Sequence, residues 1–316
     1  MQEKYKPHLL LFAVNLVYAG NFTIAKIAMP QYITPHAFIL LRVAVGALFF
    51  YLIHSYFIQE KVQKEDWPRL VLCALFGVAL NMLLFFKGLA ITTPINAALI
   101  MILAPIMVLL VSTILMKELI PFAKVIGVIS GLIGASLIIL SGSNIADLSI
   151  SNGDLLVFLN ATSYAFYLVL VKSLMKKYEA YTVVRWVFFF GFLMVFPFGI
   201  KEFMEVQWQT MPTKAWLSIL YVLMGTTIFT YLLNAFALKI TSATLVSTYI
   251  YLQPLLATLI AVLAGKDILT WKKVLAAICI FLGVYLVSLK RKKRINLLNT
   301  NKLIPLLLFI SPIFAT

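Results

Sequence analysis

Hydrophobic residues fall into ten long runs along this chain, and short polar segments separate the runs. Each run is close to the roughly 20 apolar residues that a helix needs to cross a bilayer. The runs are continuous and do not alternate with polar positions, which argues against transmembrane strands. The pattern therefore predicts an all-α integral membrane protein with ten transmembrane helices, at about residues 8–29, 34–57, 68–90, 93–116, 121–141, 152–175, 182–204, 213–238, 243–264 and 270–289.

The second half of the chain repeats the pattern of the first half at a shift of 149 residues. The segment LAPIMVLLVSTILMKE is matched by LQPLLATLIAVLAGKD, so that Pro105 falls on Pro254. Because five is an odd number, a duplicated five-helix unit enters the membrane from the opposite side the second time. We therefore predict two inverted five-helix repeats, in residues 1–145 and 150–290, and a basic cytoplasmic tail with a short apolar segment in residues 291–316.

Pro105 and Pro254 each lie about a dozen residues into a predicted helix. Proline removes one helical hydrogen bond and frees the carbonyl group one turn earlier. Broken helices at corresponding positions of two inverted repeats point to a binding site at the middle of the membrane. Prolines that only kink packed helices are the alternative interpretation. The paired placement favours the binding site.

Composition supports a membrane location, with 63% hydrophobic and 12% charged residues and a mean hydropathy of +1.01. Soluble domains are near half apolar and a quarter charged. The net charge of +15 comes from basic residues in short loops and in the tail. Since no soluble basic domain is present, we expect membrane lipids and not nucleic acid as partners. The distribution of Lys and Arg predicts cytoplasmic termini and a location in the cell (inner or plasma) membrane.

Candidate binding residues are the polar side chains inside the predicted helices, which are costly in lipid unless they face the bundle interior or a wet cavity. All eleven acids lie in loops, in the N-terminal segment or at helix ends, so this set is mostly uncharged. Hydrogen bonding between packed helices is the alternative role for these side chains. For Arg42, the alternative is extension of the side chain to lipid phosphates. The predicted substrate-binding residues are Asn15, Tyr18, Asn21, Arg42, Asn81, Asn96, Asn160, Tyr164, Tyr167, Thr230, Asn234, Tyr249 and Gln253.

Several segments resemble those of a known family in their order and spacing. They are AGNFTIAK at 19–26, LLRVAVGALFF at 40–50, LKITSATLVSTYIYLQPLLATLIAVLAGKD at 238–267 and VLAAICIFLGVYLVSL at 274–289. Together they resemble the EamA family of the drug/metabolite transporter superfamily, over about residues 8–290. The resemblance implies two inverted five-helix halves, a central cavity, and alternating access for a small metabolite. Tyr18-Ala19-Gly20 departs from the family, in which a Trp-Gly pair is common, and this leaves the expected fold unchanged.

The expected function is that of a secondary transporter for an amino-acid-like, zwitterionic or weakly polar solute. We expect the direction of transport to be export. We expect the active unit to be a monomer or a homodimer. A membrane-embedded enzyme acting on lipid-linked substrates is the alternative, but the sequence contains no His/carboxylate cluster and no nucleophile paired with a base at membrane depth. A scaffold or receptor would have no evident use for broken, inverted helices. The two cysteines do not have metal-ligand spacing, and the sequence lacks a phosphate-binding glycine loop, so we expect neither metal nor cofactor.

Overall fold

The computed structural model describes residues 2–58, 60–116, 120–141, 151–263 and 270–289. Within these ranges the chain contains no strand, and ten helices are long and apolar enough to cross a membrane. The predicted tail, residues 291–316, lies outside the described residues. The predicted ten-helix, all-α membrane architecture is confirmed. The helices, labelled α1 to α10 in chain order, are Tyr5–Ala28, Pro35–Phe57, Lys64–Ile91, Asn96–Met116, Phe122–Leu140, Asn152–Lys177, Ala180–Met204, Thr213–Ile240, Ala243–Ile260 and Trp271–Ser288.

Polar residues in the short connections fix where several of these helices begin. The side chain of Thr34 accepts a hydrogen bond from the Ala37 backbone N–H, and Pro35 follows in the first turn of α2. At the start of α6, Ser151 and Asp154 form a capping box in which each side chain bonds the backbone of the other. Such caps satisfy N–H groups that have no partner within the helix.

Four helices are irregular, and they form two corresponding pairs. The helix α3 contains a π-helical segment at Leu75–Ala79, and α8 contains one at Tyr221–Phe229. The helix α4 is interrupted by a turn before Ala104, and α9 is interrupted by a 3-10 segment at Tyr249–Tyr251. Each interruption precedes one of the two predicted helix-breaking prolines. The departures from regular helix therefore occur at equivalent places in the two halves of the chain.

Contacts between the halves are reciprocal. The helix α1 packs against α8 and α9, and α6 packs correspondingly against α3 and α4. The second helices of the two halves, α2 and α7, pack together, and so do the fifth helices, α5 and α10. In the α5–α10 contact, a Cβ atom on Gly283 would lie 2.6 Å from the carbonyl oxygen of Gly127, and one on Gly127 would lie 2.8 Å from that of Gly283. Only glycine permits these two backbones to approach so closely.

Two lysines connect helix ends in the same way in both halves. The Lys26 Nζ donates to the carbonyl of Thr92 at the end of α3, across a distance of 3.1 Å. The Lys172 Nζ donates to the carbonyl of Leu238 near the end of α8. In both pairs the residues are 66 positions apart in the sequence. Each lysine thus donates to a carbonyl group at the end of another helix, where carbonyl groups have no backbone N–H partner within the helix.

Candidate functional site

A central cavity lies between the two halves, with a volume of about 740 Å³ counting the space that is open to solvent. Seven helices contribute to its wall: α1, α2, α3, α4, α6, α8 and α9. One part of the wall is polar or aromatic and consists of Asn15, Tyr18, Asn21, Arg42, Asn81, Asn160, Tyr164, Tyr231, Asn234 and Gln253. The other part is apolar and consists of Val14, Met82, Phe85, Phe86, Met101, Val246 and Ile250.

Arg42 is a buried cation in this wall, with only 4% of the residue exposed. Its Nε donates to Thr227 Oγ1 at 2.9 Å, and its Nη2 lies 3.3 Å from the Thr226 carbonyl. The centre of the guanidinium lies 4.8 Å from the centre of the Phe86 ring. The side chain therefore does not extend to the membrane surface, which was the alternative role for it.

No carboxylate among the described residues forms an ion pair with Arg42. Its bonding partners are neutral oxygens, and an aromatic ring adds a further favourable contact. A guanidinium has five N–H donors, and the bonds to Thr226 and Thr227 involve only its Nε and Nη2 atoms. The group therefore retains both its positive charge and donors for an incoming anion.

The π-helical segments of α3 and α8 supply carbonyl acceptors to the wall. The Gly77 carbonyl accepts a bond from the Tyr231 hydroxyl at 3.0 Å, and the Phe76 carbonyl accepts one from Ser163 at 2.7 Å. In α8, Thr226 and Thr227 both belong to the π-helical segment that holds Arg42. A π-bulge shifts the helical register and is frequent at functional sites. In this protein the two π-helical segments direct their carbonyl and hydroxyl groups toward other helices.

Amide side chains connect helices around the cavity. The Gln253 Nε2 donates to Asn15 Oδ1 at 2.9 Å, which joins the broken helix α9 to α1. The Asn160 Nδ2 donates to the Asn81 carbonyl at 2.7 Å, which joins α6 to α3. The Oδ1 atoms of Asn21 and Asn160 are buried and have no hydrogen-bond partner among the described residues. These two oxygens are acceptors for a donor that enters the cavity.

The structure brings nine of the thirteen predicted binding residues to the central cavity. The other four lie elsewhere. Thr230 is behind the wall, with its Oγ1 3.1 Å from the Tyr18 hydroxyl, and Tyr167 lines a smaller adjoining cavity of about 390 Å³. Asn96 Nδ2 lies 3.4 Å from Asp154 Oδ2, near the start of α6. The nine cavity-lining residues are Asn15, Tyr18, Asn21, Arg42, Asn81, Asn160, Tyr164, Asn234 and Gln253.

Tyr249 does not line the cavity, and its hydroxyl contacts His8 Nδ1 at 2.5 Å. Tyr231 was not predicted, although it lies three residues before Asn234 and therefore on the same side of α8. That spacing is the signal that would have identified it.

Neither Pro105 nor Pro254 itself lines the cavity, but the residues four positions earlier, Met101 and Ile250, do. A proline has no N–H, so neither proline can donate to the carbonyl of the residue four positions before it. Pro105 is buried and Pro254 is half-buried. The helical interruptions therefore place Met101 and Ile250, one turn before each proline, in the cavity wall.

The wall of the cavity contains no carboxylate among the described residues. Among all the residues that the structure describes, no group of three His, Cys, Asp or Glu side chains is arranged to hold a metal ion. The binding groups of the cavity are consequently amides, hydroxyls, aromatic rings and one cation.

The described residues thus form ten helices that are long and apolar enough to cross a membrane, with a central cavity among seven of them, which defines an integral membrane protein. Its sequence matches the model of the EamA-like transporter family over residues 6–140 and again over residues 151–289. The chain belongs to this family. The resemblance to the EamA family is thus confirmed, and the family consists of transporters and not of enzymes.

Three proteins illustrate what this chain is similar to. An uncharacterized transporter of Bacillus subtilis, YyaM, is 25% identical over 89% of this chain and 93% of its own length. An uncharacterized transporter of Archaeoglobus fulgidus is 27% identical over 90% of this chain and 98% of its own. A WAT1-related protein of Arabidopsis thaliana is 25% identical over 90% of this chain and 86% of its own.

A solved crystal structure shares the fold. It superposes with a TM-score of 0.68 at 19% sequence identity, covering 89% of this chain and 95% of the other. At this identity the likeness establishes the fold alone.

Proposed function

We propose that this protein is a secondary transporter of a small organic solute that bears a carboxylate, such as an amino-acid-like metabolite. The observation that carries the proposal is Arg42, a buried guanidinium in the cavity wall with no carboxylate partner among the described residues. Burying a charge without a counterion is costly, and hydrogen bonds from neutral groups offset only part of that cost. A substrate carboxylate would supply the missing counterion and accept two N–H bonds in a fixed geometry.

The neutral groups of the cavity support a zwitterionic or weakly polar solute. The unpartnered oxygens of Asn21 and Asn160 can accept bonds from an ammonium or hydroxyl group. An ammonium that is balanced by its own carboxylate needs no protein carboxylate. A polyamine would bring several positive charges into a wall that already contains Arg42, and we therefore expect it to be excluded.

Alternating access is the proposed mechanism, and two inverted repeats would provide its two related conformations. The reciprocal helix contacts, the paired irregularities and the two separate matches to the family support repeats at residues 1–145 and 150–290. The contacts of α1 with the broken helix α9 are the proposed gate on one side. They are the Asn15–Gln253 bond and the His8–Tyr249 contact. Opening the cavity on this side would require both to separate.

The orientation that we propose follows from the distribution of Lys and Arg. Both termini are placed in the cytoplasm, the membrane is the cell (inner or plasma) membrane, and the active unit is a monomer or a homodimer. Export from the cytoplasm is the proposed direction. Fluorescence of a tag fused to the C-terminus, measured with a membrane-impermeant quencher in intact cells, would test the orientation. A quenched tag would contradict it.

A thermal-shift screen of the purified protein tests the substrate class. A solute that binds the folded state raises the apparent unfolding temperature. We expect carboxylate-bearing solutes to do so, and their amides or methyl esters to do so less. A shift produced by spermidine in preference to every neutral or zwitterionic solute would contradict the proposal.

A further inference from the structure

A second pocket lies at one end of the helix bundle and shares no residue with the central cavity. It is formed by the end of α2, the connection to α3, and the first turns of α3 and α7, and its volume is about 850 Å³ counting the space open to solvent. The side chains that matter for its chemistry are His54, Glu60, Lys61, Trp67, Arg185 and Trp186.

Arg185 determines the protonation of His54 in this pocket. The Arg185 Nη1 lies 2.5 Å from His54 Nδ1. A guanidinium only donates hydrogen bonds, so Nδ1 must be the acceptor and the neutral imidazole carries its proton on Nε2. That Nε2 atom is buried, and no described side chain accepts a bond from it. His54 as a whole is only 2% exposed.

A second N–H group of the pocket belongs to Trp186. The indole Nε1 of Trp186 is buried and has no hydrogen-bond partner in the described part of the chain. An indole nitrogen can only donate. The Trp186 indole therefore requires an acceptor that the described residues do not supply, whereas the His54 ring has the backbone of Glu60 beside it. Buried donors are normally satisfied, so each such group needs an explanation.

The charge of the pocket is positive. Arg185 forms no ion pair with the described carboxylates, and its guanidinium lies 4.8 Å from the Tyr51 ring centre and 4.7 Å from that of Trp186. Lys61 is exposed at the rim. Glu60 is the carboxylate that lines the pocket, and its Oε2 accepts a bond from the Glu179 backbone N–H at 2.9 Å. Two cations and one carboxylate leave a net positive charge.

From these groups we infer that the pocket is a binding site for a phosphate-class anion, held by Arg185 and Lys61 and by the unpartnered N–H group of Trp186. Phosphate oxygens accept several hydrogen bonds at once and pair well with a guanidinium. The headgroup of an anionic phospholipid and a phosphate in solution share this chemistry. This site is separate from transport and does not depend on the substrate of the central cavity.

The surroundings of the pocket suit a lipid headgroup. The rings of Trp67 and Trp186 meet edge to face at 4.6 Å between centres, and tryptophan is enriched at the level of the headgroups. Basic pockets between transmembrane helices are able to bind anionic headgroups.

The test uses the purified full-length protein in nanodiscs of phosphatidylcholine alone, phosphatidylcholine with phosphatidylglycerol, and phosphatidylcholine with added inorganic phosphate. The unfolding temperature and, by native mass spectrometry, the number of retained phosphatidylglycerol molecules are measured. We expect phosphatidylglycerol to raise the unfolding temperature of the wild type. Arg185→Gln and Lys61→Gln should require about tenfold more phosphatidylglycerol for the same effect.

Arg69→Gln is the matched control, because Arg69 is an exposed arginine at the same end of the bundle and does not line the pocket. It should respond as the wild type does. If Arg185→Gln fails to fold, Lys61→Gln is compared with the Arg69→Gln control instead, because Lys61 is exposed and its replacement should not disturb folding. A phosphate effect as large as that of phosphatidylglycerol would assign the site to the soluble anion. Equal responses of all variants, or no response of the wild type to either anion, would overturn the site.

Discussion

Replacing Arg42 with glutamine should remove recognition of the substrate carboxylate while the cavity keeps its neutral groups. Arg42 is buried and is held by Thr226 and Thr227, so its guanidinium is already positioned before the substrate binds. A hydrogen bond to a charged group contributes about 1.5–3 kcal/mol. The loss of one such bond corresponds to a Kd that is roughly 10- to 150-fold higher.

The assay compares a carboxylate solute with its own amide, both titrated against wild type and Arg42→Gln by calorimetry or thermal shift. The carboxylate should lose affinity by the amount above, whereas the amide should change by less than about threefold, or roughly 0.6 kcal/mol. Arg42→Lys keeps the charge but not the planar pair of donors, so its loss should be intermediate.

Arg69→Gln removes an exposed arginine that donates to Ser173 and lies outside the cavity, and it should bind both ligands as the wild type does. An equal loss of carboxylate and amide binding in Arg42→Gln would refute the reasoning. In that case Arg42 would only support the wall through Thr226 and Thr227.

Three further predictions concern other parts of the molecule. Asn15→Ala, Asn160→Ala, Tyr18→Phe and Tyr164→Phe should each reduce transport while the protein still inserts and folds, since losing one neutral hydrogen-bonding group costs about 1 kcal/mol. Loss of folded protein in detergent would show a mainly structural role. Gly283→Ala should lower the free energy of unfolding by about 1–3 kcal/mol, because the new Cβ would lie 2.6 Å from the Gly127 carbonyl oxygen. Thermal unfolding measures the effect, with Leu282→Ala at the exposed neighbouring position as the control. Equal effects of the two substitutions would contradict the close α5–α10 contact. Lys26→Met and Lys172→Met should each destabilise by about 1 kcal/mol, because both remove a bond to a helix-end carbonyl, and clearly unequal losses would argue against equivalent roles in the two halves.

The ten helices were predictable because each depends on a local run of apolar residues, which a membrane requires wherever the run occurs in the chain. The π-helical segments were not predictable in this way. The Gly77 carbonyl in α3 accepts its bond from Tyr231, which is 154 residues further along the chain. Such a bond depends on the packing of α3 against α8, and no local pattern around Gly77 indicates it.

The cavity was predictable in part, because a polar residue inside a membrane helix must face other protein or water. That rule does not determine which of these it faces. Asn96 satisfies it through Asp154 and Tyr249 satisfies it through His8, 241 residues away, so neither needs the cavity. Asn15 and Gln253 also bond each other, yet both still line the cavity. Only the packed structure separates these cases.

Counterflow in vesicles that contain only this protein tests the central claim most directly. Vesicles are loaded with an unlabelled carboxylate solute identified by the thermal-shift screen, and a trace of the labelled solute is added outside. When the internal solute is well above its Kd, a carrier that exposes one cavity alternately to the two sides should accumulate the label transiently above its external concentration. Arg42→Gln should need a roughly 10- to 150-fold higher internal concentration for the same accumulation. Label that only equilibrates, without any transient accumulation in wild-type vesicles, would contradict alternating access through this cavity.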